Sequence, residues 1–305
     1  MSTSTLTRAR NHYRRQQRIA LSGVRAVRRA VKAARSAEQA KAVATTTVAT
    51  YQLASALAAG RTMAAEAGRG VLTVPAAFAG ETQLGYPIEF GIDTIVDRAT
   101  QGADFDRIFA EMMAGLDLFV ASEIIAAGAD AVAAEIVMEP AWTNFVRVLV
   151  LPSCDRCAIL AGRIYRDLDG FARHPKCDCQ HWPVDSWAEA EAAGLVTDPM
   201  VAFERGQVRG LSKAEVQAIR DGADIQEVVN AKRGGGRRPK GMTNIVTADI
   251  FGRTVKATLE GTTKRSEWRR KHPNLPIRLR PESIYEHARD RDDAIRLLQL
   301  YGYIK

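Results

Sequence analysis

Cysteine and histidine are scarce in this 305-residue chain, at four and five copies, and acidic residues are scarce over its first 88 positions. No apolar run reaches the roughly eighteen residues that a membrane-crossing helix needs. The N-terminal stretch MSTSTLTRARNHYRRQQRIALSGVRAVRR has no apolar core of the kind a secretory signal carries. Its Arg-rich, acid-poor character fits an organelle transit peptide, yet nothing further along the chain supports one. Synthesis in a reducing cytoplasm is therefore expected, where disulfides are rare. Neither HExxH nor GxSxG occurs, so the signatures of zincin proteases and of the hydrolase nucleophile elbow are missing. Internal repeats are missing too.

The few cysteines that exist are gathered together. Residues 154–181 read CDRCAILAGRIYRDLDGFARHPKCDCQH and hold all four thiols with two of the five histidines. Cys154 and Cys157 form a CxxC; Cys177 and Cys179 form a CxC, with His174 three positions before it. A CxxC turn presents two thiolates to one side of a metal. A CxC on an extended chain points both side chains to one face, because the strand period is two. The intervening segment is long enough for a helix and its return. The spacing fits one closed structural zinc site made of Cys154, Cys157, Cys177 and either Cys179 or His174. His181 is the weakest candidate. Unliganded buried thiols and disulfides are the competing readings. With no glutamate beside the ligands, such a zinc would staple the fold rather than catalyse, contributing on the order of 10 kcal/mol to folding.

Charge is partitioned along the chain. Residues 1–88 carry thirteen Lys/Arg against three Asp/Glu, residues 89–140 two against eleven, and residues 141–305 twenty-eight against twenty-one. A basic arm, an acidic middle and a basic tail suit contact with a polyanion or an acidic protein surface, although solvated helix faces are the plainer reading.

The expected fold class is α+β, mainly α-helical. Residues 1–67 read as a basic helical arm, proline-free and rich in Ala, Arg and Gln. Tyr13, Ala20, Val27 and Ala34 recur at seven, with Val24 and Val31 between them, which predicts a close-packed helical seam. Its basic opposite face implies docking on the chain's own body or on a partner. Residues 68–140 read as a connecting loop and an acidic helical body, with helices over 92–113 and 115–138 and with Gly102, Gly115 and Gly128 at turns or close contacts. Residues 141–200 form a small α+β unit: a strand in WTNFVRVLVLP, the CxxC, a helix from Arg156 to about Leu168, a loop, and a return strand in HWPVD. Ser186 and Glu189 then give a capping signature. Residues 201–241 hold a Ser-capped helix, a turn at Asp221–Gly222, a second helix and the basic linker KRGGGRRPKGM. Residues 242–305 form a basic region ending in a helix opened by Pro281 and broken near Asp290–Asp293. Arg233, Arg237, Arg238 and Lys240 in the linker are candidate nucleic-acid contacts. Trp268, flanked by arginines, is read as a packing anchor rather than a base-stacking platform.

CDRCAILAGRIY…HPKCDCQHWPV resembles the heart of the phage Mu protein F-like minor head proteins, in the CxxC-bearing form associated with tailed phages of actinobacteria. Leu160, Gly162, His174, Pro175, Cys177, Cys179, Pro183 and Val184 carry the match, which is sharp over 142–184 and weaker over 74–88 and the C-terminal tail. The resemblance implies a minor capsid protein of the virion, present in several copies. It would be made in the bacterial cytoplasm and associated with the portal inside the capsid, with the basic segments against packaged DNA and no membrane involved. It implies a structural protein rather than an enzyme. Two other readings stay open. One is a capsid maturation protease, for which Ser153 and His174 flank the cysteines without an orienting third residue. The other is a nucleic-acid-binding protein without sequence preference.

Overall fold

The computed structural model describes residues 4–79, 85–166, 179–233, 245–250, 253–260, 262, 266–275 and 277–305. Along the chain these form α1 (Thr5–Ala33), α2 (Ala37–Ala67), α3 (Gly85–Thr100), α4 (Phe105–Val137), β1 (Asn144–Leu149), β2 (Ser153–Cys154) and α5 (Asp155–Leu160). Then come β3 (Ile164–Arg166), β4 (Cys179–Val184), α6 (Trp187–Ala192), α7 (Pro199–Glu204), β5 (Val208–Arg209), α8 (Lys213–Arg220) and α9 (Ile225–Arg233). The chain closes with β6 (Ile245–Ile250), β7 (Arg253–Thr258), α10 (Glu267–Lys271), β8 (Arg278–Leu279), α11 (Pro281–His287) and α12 (Arg291–Leu300). The described residues are 64% helical with small sheets, as the α+β, mainly helical expectation requires. They divide into two compact units, 1–150 with 161–197, and 151–160 with 198–305.

In the first unit α1 and α2 are separate helices, because the chain turns extended at Ala34 and restarts at Ser36. The Ser36 hydroxyl accepts from Gln39 N at 3.1 Å, while the Gln39 side chain accepts from Arg35 N at 2.7 Å. This reciprocal cap stops what composition alone reads as one long helix. The buried stripe of α1 is Ala9, His12, Gln16, Ala20, Gly23 and Val27. Ala20 and Val27 belong to the expected seam, whereas Tyr13, Val24, Val31 and Ala34 flank it half-buried. Polar Gln16 is buried because its amide donates to Ser55 O at 3.1 Å and the Ser55 hydroxyl donates back to its oxygen.

The acidic body breaks elsewhere than expected. Gly102 takes the left-handed region (φ 84°) and Asp104 caps α4 by accepting from Arg107 N at 2.7 Å, so the turn falls at 101–104. Gly115 lies within α4, with open space where a Cβ would sit. Gly128 is a true close contact, since an added Cβ would stand 2.5 Å from both Gln16 Oε1 and Ser55 Oγ.

Part of the charge asymmetry is satisfied within this unit, by Arg8–Glu66 at 2.7 Å, Lys41–Asp93 at 2.6 Å and the Arg28–Asp117 pair. Glu135 departs from the expectation that acids occupy the solvated faces, being wholly buried. Its carboxylate accepts from Arg69 Nη1 (2.7 Å), Thr73 N (2.7 Å), Thr73 Oγ1 (2.7 Å) and Leu72 N (3.0 Å), pinning the chain after α2 to α4.

β1 is the centre of a three-stranded antiparallel sheet in the order β3-β1-β4. Val146, Val148, Trp182 and Val184 join Ala9, Ala59, Met63, Val132 and Ile136 in one core.

In the second unit, β6 and β7 form an antiparallel hairpin extended by β8. Ala218, Val228, Val229, Val255, Ala257, Ile284, Leu298 and Tyr303 form its core, together with Ile159 of α5. This hairpin was not foreseen in the basic C-terminal region. Pro281 does open a helix, and the break falls at 288–290. Trp268 is the anchor expected of it, donating Nε1–H to Leu300 O at 2.9 Å. Arg278 of the same basic stretch is buried, bonded to Tyr301 O, Glu227 and Gly302 O at 2.8, 3.1 and 3.2 Å.

Candidate functional site

In the second unit the CxxC sits at a strand-to-helix junction. β2 pairs in parallel with β5, Ser153 opposite Val208 and Cys154 opposite Arg209, and α5 begins at the next residue. Cys154 is half-buried and Cys157 wholly buried, and Cys157 N donates to Cys154 Sγ at 3.3 Å. Both sulfurs thus belong to one tight turn. Ser153, a possible nucleophile by sequence, is wholly buried, with its backbone N–H given to Gln207 O at 3.0 Å.

The turn is held from beneath by charge. Asp155, between the two cysteines, is wholly buried, and its carboxylate accepts from Arg156 N at 2.6 Å and from Lys232 Nζ at 3.1 Å. Lys232 also donates to Glu215 at 3.1 Å and to Gly210 O. Arg156 reaches Asn230 at 2.7 Å. One lysine therefore ties α5 to α8 and α9 through two buried carboxylates. Ser212 completes the capping box of α8, accepting from Glu215 N at 3.2 Å while the Glu215 carboxylate accepts from Ser212 N at 2.7 Å.

In the first unit Cys179 opens β4 opposite Leu149, and Arg147 stands opposite His181. Cys179 and Arg147 are both buried, and Arg147 Nη2 donates to Cys179 Sγ at 3.0 Å. His181 is buried edge-on to Phe145, with ring centroids 4.8 Å apart. A fully buried arginine beside a sulfur was not foreseen. The signal for it is a single charge inside the otherwise apolar run FVRVLVL.

The helix foreseen from Arg156 to about Leu168 ends at Leu160. Gly162 follows at φ 72°, its N–H donating to Arg147 O at 2.9 Å, and the chain enters β3. An L-residue at Gly162 would be strained in φ and would meet Val196 at 2.8 Å.

His174 and Cys177 lie outside the described residues, as do Arg237, Arg238 and Lys240. Arg233 is the last residue of α9. Among the described residues no group of three or more His, Cys, Asp or Glu gathers in a metal-holding arrangement. The described part of the foreseen zinc site thus comprises Cys154 and Cys157 of one unit and Cys179 of the other.

A family model described as VG15 protein matches residues 1–202, about two thirds of the chain. No curated protein and no solved structure matches. The matched span takes in the helical body, both described parts of the cysteine segment, and α6.

Proposed function

This chain belongs to the VG15 family of phage proteins, and from that premise we propose that it is a structural minor capsid protein, of the phage Mu protein F-like kind, acting at the portal inside the head. The family points to a protein associated with the virion. No described helix is long and apolar enough to cross a membrane.

One observation carries the finer reading. The described elements of the segment that resembles the minor head proteins follow one another in the order that resemblance implies. A strand, β1, leads to a cysteine turn and a short helix, and the chain returns in β4, which closes on Pro183 and Val184 beside β1. The helical body would dock on portal or shell, while the basic segments lie against DNA and neutralise phosphate without reading sequence. The host would be an actinobacterium.

A structural zinc belongs to the same proposal. Cys154 and Cys157 on one turn are a soft donor pair with the spacing that zinc sites use. Cys177, with Cys179 or His174, would complete the set. The metal would staple the segment, and no reaction is routed through it.

Mass spectrometry of purified virions and affinity capture with the portal protein of the same phage test the proposal. The expected result is this chain in intact heads at a few copies, co-purifying with portal. Its absence from virions, with free chain left in the lysate, overturns the reading. Elemental analysis of the full chain purified without chelator separately tests the staple, with about one zinc per chain expected.

A further inference from the structure

α1 gives one face to the core and keeps the other for cations. Arg10, Arg14, Arg18, Arg25, Arg29 and Lys32 are all exposed. On a helix of 3.6 residues per turn they fall within an arc of about 100°, opposite the buried stripe from Ala9 to Val27. At 1.5 Å per residue the row is about 33 Å long. Leu21 is the one apolar residue within it, 54% exposed, and α1 contains no acidic residue.

The fold does not use these six. Its ion pairs on α1 are made by Arg8 and Arg28, which lean toward the body to reach Glu66 and Asp117. Among the described residues no carboxylate lies within salt-bridge distance of any of the six. The charge is denser here than on neighbouring α2, where Ala42, Thr46, Thr50, Leu53 and Ala54 are exposed and neutral and the exposed charges are Glu38 and Arg61. Like charges three or four residues apart cost a helix a few tenths of a kcal/mol per pair. The row is therefore a standing cost to the folded chain until a polyanion meets it.

We propose that this row is a face for double-stranded DNA, with α1 lying along the sugar–phosphate backbone and its guanidinium groups donating to phosphate oxygens. The length agrees with one duplex turn, about 34–36 Å. The duplex offers a negative charge every 1.7 Å or so along its axis, so a row of cations finds partners in any register. An acidic protein is the poorer fit. A protein interface forms around an apolar core depleted in charge, and here Leu21 is the only large apolar side chain. The inference deepens the head-protein reading, which supplies DNA as the polyanion at hand, and moves the principal contact from the linker at 233–240 to α1.

Fluorescence anisotropy of the full chain with two unrelated duplexes of about 24 base pairs, between 50 and 200 mM salt, tests it. Two variants remove half of the row each, R10Q/R14Q/R18Q and R25Q/R29Q/K32Q, and R237Q/R238Q probes the linker. Glutamine keeps helix propensity, and circular dichroism checks that helical content is unchanged. The wild type is expected to bind both duplexes equally, losing about a thousandfold in affinity across that range if all six cations engage. Each row variant should bind more weakly and flatten the slope of log K against log salt by about 0.9 per contact removed. Row variants that match wild type while the linker variant loses binding overturn the inference and leave DNA contact standing. No DNA binding by wild type at 50 mM salt overturns both, while portal capture still stands or falls independently. Preference for polyglutamate over duplex overturns it in favour of an acidic protein.

Discussion

Gln16 and Ser55 hold each other across the α1–α2 interface by two hydrogen bonds, and Gly128 of α4 leaves the space in which they do so. A Cβ there would press on both polar atoms at 2.5 Å. Gly128→Ala should therefore destabilise by roughly 1–3 kcal/mol, the usual penalty of overpacking, despite alanine's better helix propensity. Gly115→Ala in the same helix meets open space and should stabilise by about 0.5–1 kcal/mol. Urea unfolding of the two variants reads opposite signs if the packing is as described. A shared sign refutes it.

Acid should loosen the first unit through Glu135. Burial pushes its carboxyl group up, but hydrogen bonds from Thr73, Arg69 and Leu72 outweigh it and hold the group below the usual 4.5. With the folded value lowered, the stabilisation is present above about pH 4.5 and is lost as pH falls through the folded value. Glu135→Gln should cost about 1.5–3 kcal/mol near neutral pH by weakening the charge-assisted bonds from Thr73, Leu72 and Arg69, the last of which keeps Glu139 at 2.6 Å, and should flatten the acid limb of a stability–pH curve. An unchanged acid limb in the variant would assign that limb to other carboxylates.

Alkali should act on the second unit. Tyr303 is wholly buried, its hydroxyl donating to Leu279 O at 2.9 Å, and burial pushes the phenol well above its ordinary value of 10. Burial, then the hydrogen bond to Asp221, raises Tyr285; burial raises Tyr301. The unfolded chain releases these protons near pH 10 while the folded chain keeps them. Stability is thus full below pH 10 and falls as pH climbs beyond it. Tyr303→Phe should lose about 1 kcal/mol at neutral pH for the missing hydrogen bond, with a shallower alkaline decline. Denaturant midpoints across that range measure it.

Lys232→Met should be more damaging than its partly exposed position suggests. It removes the ammonium shared by the buried carboxylates of Asp155 and Glu215, and breaking buried pairs of this kind costs about 3–5 kcal/mol. Chemical denaturation should show that loss. Thiol titration should show Cys154 and Cys157 reacting faster, because α5 loses its anchor. Unaltered thiol protection would separate the CxxC turn from the charge cluster.

The strand pair around the cysteines was legible because its residues announce themselves. FVRVL is β-branched and apolar, and HWPV is short, aromatic and closed by proline. Caps at Ser186 and Ser212 and the helix start at Pro281 were equally legible, since each depends on residues within a few positions. The arm's break at Ala34 was not, because neither proline nor glycine marks it. The hairpin of β6 and β7 was hidden by basic and polar residues in a chain already read as a tail. Gln16, Glu135 and Arg147 were hidden for a deeper reason. Each is a polar side chain buried by virtue of a partner 32 or more positions away, Ser55, Thr73 and Cys179 in turn, and local pattern does not name the partner even where, as at Arg147, a lone charge in an apolar run flags the position. On the cysteine site the sequence supplied the CxxC turn, while the arginine beside Cys179 came only with the fold.

The route of the chain between the two units bears on how it is made. It leaves the first unit at Leu151, lays down ten residues of the second, and returns at Ala161. The helix α5 contributes Ile159 to a core whose other walls, from α8 and α9 to β7, α11 and α12, emerge from the ribosome only after β4 and α6 have been completed. During synthesis the CxxC turn must therefore wait, without its own core, for a later length of chain. A gene cut at residue 202, where the family match ends, would encode that turn without Lys232 or any residue of α8 and α9. No single cut divides this protein into two self-sufficient halves.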